Sequence, residues 1–107
     1  MRAEQDVGSQ QIRTILRDWY ERQCDLYAIV FDSADMQNCA GRLSYIDDEI
    51  ARITDSFVQL RIPYASASDC AVVTLDDKRR SVTLTWRDGK NAFIVRRPER
   101  ESQPNDR

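Results

Sequence analysis

The side chains best suited to chemistry in this sequence are cations. Lys78, Arg79, Arg80, Arg87, Lys90, Arg96 and Arg97 crowd into residues 78–97, with Trp86 and Phe93 between them. Basic groups neutralise phosphates, and aromatic rings stack on unpaired bases at about 1–3 kcal/mol per stack. These cations are therefore the candidate nucleic-acid-binding set, although the alternation of the segment turns both aromatic rings toward its apolar side. Carboxylates are the next resource. Asp47-Asp48-Glu49 and Asp76-Asp77 offer oxygen ligands of the kind hard cations take. Successive carboxylates in a turn are ordinarily solvated, and no metal site is assigned.

Cys24, Cys39 and Cys70 are odd in number and widely spaced. Disulfide frameworks use even sets, and zinc sites use close pairs. The cysteines read as small buried side chains in a reducing compartment. The chain has no histidine, so the commonest general base is missing, and its three glycines build no phosphate-cradling loop. No catalytic residue and no cofactor is assigned. The chain is not expected to be an enzyme.

These groups need a scaffold, and 107 residues supply one domain. Apolar residues at 41% and charged residues at 32% describe an ordinary globular chain. The longest apolar run, Leu26 to Phe31, is far too short to span a bilayer, and the polar N-terminus does not read as a signal peptide. A cytoplasmic protein without a membrane partner is expected. The net charge of −2 hides a division. Residues 1–77 hold fourteen acidic and seven basic side chains, whereas residues 78–100 hold eight basic and two acidic ones. A basic module on an acidic body suits an anionic partner, or self-association between opposite faces. A solvated hairpin would look the same.

Residues 1–8 read as a flexible arm. Ser9 is placed to cap a helix over residues 9–23, in which Ile12, Ile15, Leu16, Trp19 and Tyr20 form one apolar stripe. From Asp25 the period changes to that of strands. Leu26 to Phe31 is aromatic and β-branched, Asn38 to Ile46 follows with Gly41 inside it, and shorter strands cover 50–54, 57–62 and 70–75. Residues 81–97 form a hairpin around Asp88-Gly89, a pair that suits a type I′ turn. That turn would set Leu84 opposite Phe93 and Val82 opposite Val95. Residues 98–107 read as a disordered tail.

A short helix followed by a bent sheet resembles the Sm-like family, in particular its bacterial Hfq branch. The local match is Gly41-Arg42-Leu43-Ser44-Tyr45-Ile46-Asp47, similar to that family's first motif. In it Gly41, Leu43 and Asp47 are the structural positions. The family's second motif has no counterpart in Arg61 to Ser66, and Asp48-Glu49 stands where family members often meet RNA. The resemblance implies a mainly β fold with one N-terminal α-helix, a strongly bent SH3-like small β-barrel over residues 25–75. The hairpin at 81–97 would be an addition to it. The barrel and helix together make one domain over residues 9–97. It also implies a homo-oligomer, with a ring as the family's form. The function expected is a self-assembling binding or scaffolding module that meets RNA through its basic hairpin. The alternative is a protein-interaction domain on an unrelated SH3-like barrel without a nucleic-acid role.

Overall fold

The computed structural model describes residues 3–74 and 80–97, the first four of them by backbone alone. The helix, α1, runs Ser9–Glu21 and buries Ile12, Ile15, Leu16 and Trp19, the stripe that the helical period marks. Its start differs from the sequence expectation. Gly8 is the capping residue and Ser9 is already helical, with no side-chain cap. Its end is a Schellman turn. Cys24 N–H donates to Trp19 O at 3.0 Å and Gln23 N–H to Tyr20 O at 3.1 Å. Gln23 takes the left-handed position at φ 50°, where its amide also bonds Tyr20 O at 2.7 Å.

Strand β1 (Ala3–Asp6) precedes the helix, so the expected loose arm is in part a paired strand. After the helix come β2 (Leu26–Phe31), β3 (Met36–Ile46), β4 (Ala51–Thr54) and β5 (Gln59–Ile62). A short 3-10 turn at Tyr64–Ser66 leads into β6 (Asp69–Thr74), β7 (Arg80–Thr85) and β8 (Asn91–Arg96). The eight strands form one sheet in the order β1-β6-β7-β8-β2-β3-β4-β5. Every pairing is antiparallel.

The sheet is open, with β1 and β5 as its edges, and this overturns the expected closed barrel. The β7–β8 hairpin is no appendage either. β8 pairs with β2 along its whole length, Leu26 opposite Arg96 through Phe31 opposite Asn91, and so joins the two ends of the fold. The expected tail 98–107 lies outside the described residues.

One strand bends the sheet. β3 pairs with β2 over Met36–Gly41 and with β4 over Arg42–Ile46, with a register shift between Leu43 and Tyr45 that leaves Ser44 as a bulge. At Gly41 the next strand comes too close for a side chain. A Cβ there would lie 2.6 Å from the Thr54 carbonyl carbon and nearer still to its oxygen. The bend carries β4 and β5 over the face that α1 also covers. Leu43, Ile53, Leu60 and Ile62 thus join Leu26, Ala28, Val82, Leu84 and Ile94 in one core. Hydrophobic burial of this kind contributes about 25 cal/mol per Å² removed from water.

Three hairpins of the first half share one device. Asp32, Asp47 and Asp55 each accept two backbone N–H bonds through a single carboxylate oxygen, from Ala34 and Asp35, Glu49 and Ile50, and Phe57 and Val58. All six distances are 2.7–2.8 Å. The carboxylates so tied stay ionised below their usual range. Asp47, which also accepts from Tyr45 Oη at 2.7 Å, is lowered to about 2, with the Ile50 N–H the largest cause. Its backbone oxygen accepts the Tyr64 hydroxyl, which ties the β3–β4 turn to the 3-10 segment.

The β7–β8 loop corrects the hairpin register. Trp86 N–H donates to Lys90 O at 2.9 Å, and Gly89 N–H returns to Trp86 O at 3.1 Å. Only Gly89 in this loop has positive φ, at 95°. The loop is therefore three residues, Arg87-Asp88-Gly89, rather than a two-residue type I′ turn. Pairing moves by one, so Leu84 faces Ala92, Val82 faces Ile94, and Phe93 stands beside Thr83 on the other face.

Two outcomes follow. Gly41→Ala pushes a methyl group onto β4 backbone and costs about 1–3 kcal/mol, read as a lower urea midpoint at unchanged slope. Asp47 lends stability above the ordinary carboxylate pKa of about 4, and this is lost as pH falls through about 2. Asp47→Asn cannot titrate, so its acid unfolding curve should be flatter between those two values.

Candidate functional site

The described cations of the predicted set divide between the two ends of the β7–β8 hairpin. Lys78 and Arg79 lie outside the described residues. Arg80 opens β7 and Arg96 closes β8, and Arg97, just after it, donates its N–H to Asp25 O at 2.8 Å. Ser81 pairs with Val95, so these three arginines share one end of the hairpin. Arg87 and Lys90 occupy the loop at the other end, about 17 Å away at some 3.4 Å per residue. The interleaved aromatics are split as well. Trp86 turns toward the helix side, and Phe93 toward the opposite face. Among the described residues the cations and the two rings are thus not gathered on one face.

What the loop end does build is a groove. Val30, Arg61, Ile62, Pro63, Ser66, Trp86, Asp88 and Lys90 enclose about 270 Å³ between β5, the 3-10 turn and the β7–β8 loop. The bend of β3 makes it, because β5 is brought against the end of β2. Trp86 is fixed as its wall, its indole N–H shared between Pro63 O and Ser66 Oγ at 3.2 Å each. A second hollow of about 150 Å³, lined by Val30, Phe31, Asp32, Asp35, Gln37 and Lys90, adjoins it through Val30 and Lys90. Sequence reading missed this groove. Trp86 and Lys90 were legible as hairpin residues, but nothing local announces that Arg61 and Pro63 meet them.

The other feature is a sheet face left uncovered by the described residues. Alternation along β2 buries Leu26 and Ala28 and turns Tyr27, Ile29 and Phe31 outward. Their partners on the same side are Val95 and Phe93 of β8 and Met36 of β3. Tyr27 is 37% exposed, Phe31 40% and Met36 59%, while Ile29, Phe93 and Val95 are half-buried. Single exposed apolar residues are common, but a contiguous plane of them marks a binding surface.

The motif residues have structural duties. Leu43 is in the core, Gly41 admits β4, and Asp47 ties its turn. Among the described residues no group of three or more acidic or cysteine side chains is placed to hold a metal ion. The three cysteines are free and buried. Burial pushes the Cys39 thiol up to about 11, with Asp55 adding to the shift, and burial raises that of Cys70 as well. Among the described residues no helix is long and apolar enough to cross a membrane.

An open, bent antiparallel sheet with one helix laid across it is the class of fold these features define. Solved structures share it. PhuS, a heme-binding protein from Pseudomonas aeruginosa, matches at a TM-score of 0.64 and 13% identity, over 96% of this chain and 32% of its own. ChuS, a heme degrading enzyme of Escherichia coli O157:H7, matches at 0.64 and 16%, over 96% and 33%. ChuX matches at 0.55 and 10%, over 85% and 62%. The chain thus spans about a third of the length of PhuS and ChuS. No protein-family model and no curated protein matches the sequence. At these identities the likeness establishes the fold alone.

The matches overturn the Sm-like and Hfq-like reading, and with it the RNA-scaffold function. The first-motif match at Gly41–Asp47 reflects a bent strand followed by a capped turn, a need that unrelated antiparallel sheets share. ChuS is described as a heme degrading enzyme and as a heme oxygenase, so these neighbours give no support to a firm exclusion of enzymatic activity.

Burial of the thiols has a direct readout. Cys39 and Cys70 should resist an aromatic disulfide reagent at pH 8 in the native protein and react in full once urea unfolds it. Fast native labelling of Cys39 would contradict its place in the core.

Proposed function

We propose that this chain is a binding domain that takes a heme-type tetrapyrrole as cargo on the uncovered face of its sheet. One observation carries the reading: among the described residues nothing covers the apolar plane of Tyr27, Ile29, Phe31, Met36, Phe93 and Val95, on a fold shared with proteins described as heme-binding. A planar apolar macrocycle is a natural occupant of such a plane, since burial of both surfaces is favourable.

The donors present fit this cargo in a restricted way. Without histidine, these 107 residues offer no imidazole ligand of their own. The buried cysteines, with raised thiol pKa at Cys39 and Cys70, are no source of thiolate. Tyr27 and Met36 remain on the face, and phenol oxygen and thioether sulfur are both known donors to heme iron. The same plane is suited to a second copy by sheet-on-sheet packing, the form in which the expected homo-oligomer is carried forward.

Titration with hemin and with metal-free protoporphyrin, followed by absorbance and tryptophan quenching, separates these readings. Both porphyrins should bind, and Phe31→Asp should weaken both at least tenfold. Tyr27→Phe should alter the hemin spectrum while leaving protoporphyrin affinity in place. Failure of both to bind at 100 µM would sink the proposal. A dimer by light scattering that Phe31→Asp dissociates, without porphyrin binding at any concentration, would assign the face to self-association instead.

A further inference from the structure

We infer that the groove beside Trp86 is a separate site for a small organic monocarboxylate with an aromatic or branched apolar body. It lies on the helix side of the sheet, away from the uncovered plane, and rests on different residues. Its walls are apolar. Val30, Ile62 and Pro63 line it, and the Trp86 ring is held in one orientation by two acceptors for its N–H. A fixed indole face next to aliphatic side chains suits a flat or branched body.

Charge selects the head group. Arg61 and Lys90 border the groove, and among the described residues neither side chain has a hydrogen-bond or ion-pair partner within contact distance. The carboxylates nearby each give one oxygen to backbone N–H donors. Asp88 Oδ1 accepts the Lys90 backbone N–H at 3.0 Å, and Asp32 Oδ1 accepts from Ala34 and Asp35 at 2.8 Å each. Asp35 lines the adjoining hollow rather than the groove. Lys90 acts electrostatically on Asp32 across the adjoining hollow, and Arg61 borders the groove with no carboxylate in contact among the described residues. Lys90 and Trp86 are cross-loop partners, so the ammonium and the indole belong to one side of the hairpin. An ammonium at that position meets a carboxylate at the mouth while the ligand body lies along the indole.

Size limits the ligand further. At about 270 Å³ the groove falls just below the usual range of about 300–1,000 Å³ for drug-sized ligands. One ring or a short branched chain fits this space, and a tetrapyrrole does not. Affinity for so few atoms is expected near 1 mM, the weak end of specific binding.

The test uses phenylacetate and its uncharged counterpart phenylacetamide, with the two indole N–H signals read by NMR. Trp19 is buried in the core and serves as the internal control. Phenylacetate should shift the Trp86 signal and leave that of Trp19 in place, with phenylacetamide at least tenfold weaker. Lys90→Gln and Arg61→Gln should each weaken phenylacetate at least threefold. Both residues are exposed, so folding is preserved and is checked by circular dichroism. Equal shifts from acid and amide would overturn the proposal, as would no response at 20 mM or full binding in both variants. Loss of porphyrin binding with phenylacetate binding intact would strike the proposed function and leave this site standing.

Discussion

Everything that gives this domain an inside depends on the bend of β3. A flat antiparallel sheet would offer the helix one face and leave β4 and β5 in solvent. Gly41 removes the side chain where Thr54 passes, and the bulge at Ser44 changes which residues face inward. Together they let one eleven-residue strand serve two sheet segments. The core residues of β4 and β5, Ala51, Ile53, Leu60 and Ile62, owe their burial to this geometry. So does the groove, which exists where the returning β5 meets the end of β2. A constraint at one backbone contact thus reaches a binding surface through packing alone.

The two faces of the sheet have divided their labour. The helix side is filled by aliphatic residues and closed by α1, with Tyr64 and Trp86 each spending its polar group on a neighbouring backbone oxygen. The opposite side keeps Tyr27, Phe31 and Met36 in contact with water. Water contact of that extent is unfavourable for apolar groups, and an occupant relieves it. Turn aspartates supply rigidity at the periphery. Each replaces two solvent hydrogen bonds of the backbone with two short charged ones, which shortens the conformational list of its hairpin.

Much of this was legible from local pattern. The helix stripe at Ile12, Ile15, Leu16 and Trp19 and the strand Leu26–Phe31 emerge where periodicity puts them. The β7–β8 strands were visible as well, but their register was not, because Asp88-Gly89 suits both a two-residue and a three-residue loop. The barrel expectation failed for a different reason. Gly41 to Asp47 specifies a bend and a turn, and both are present. Whether such a bent sheet closes on itself is decided by what lies next to β2, and that partner, β8, is remote in sequence. Candidate cations were legible as a count, not as a surface: strand pairing sends Arg80, Arg96 and Arg97 to one end and Arg87 and Lys90 to the other. The groove was illegible because its walls come from three separate stretches of chain.

The pairing of β2 with β8 also bears on how the protein is made. As a ribosome delivers the chain, β2 gains β3 at once, but its second edge stays bare until β8 appears, since Leu26 must wait for Arg96. At about 5–20 residues per second that interval lasts several seconds. Through it the nascent chain presents an unpaired apolar strand in the middle of a future sheet, a template for pairing with any other extended chain nearby. Joining of the two halves is thus postponed to β8, the last strand among the described residues, and pairing between neighbouring nascent chains is the hazard this topology invites.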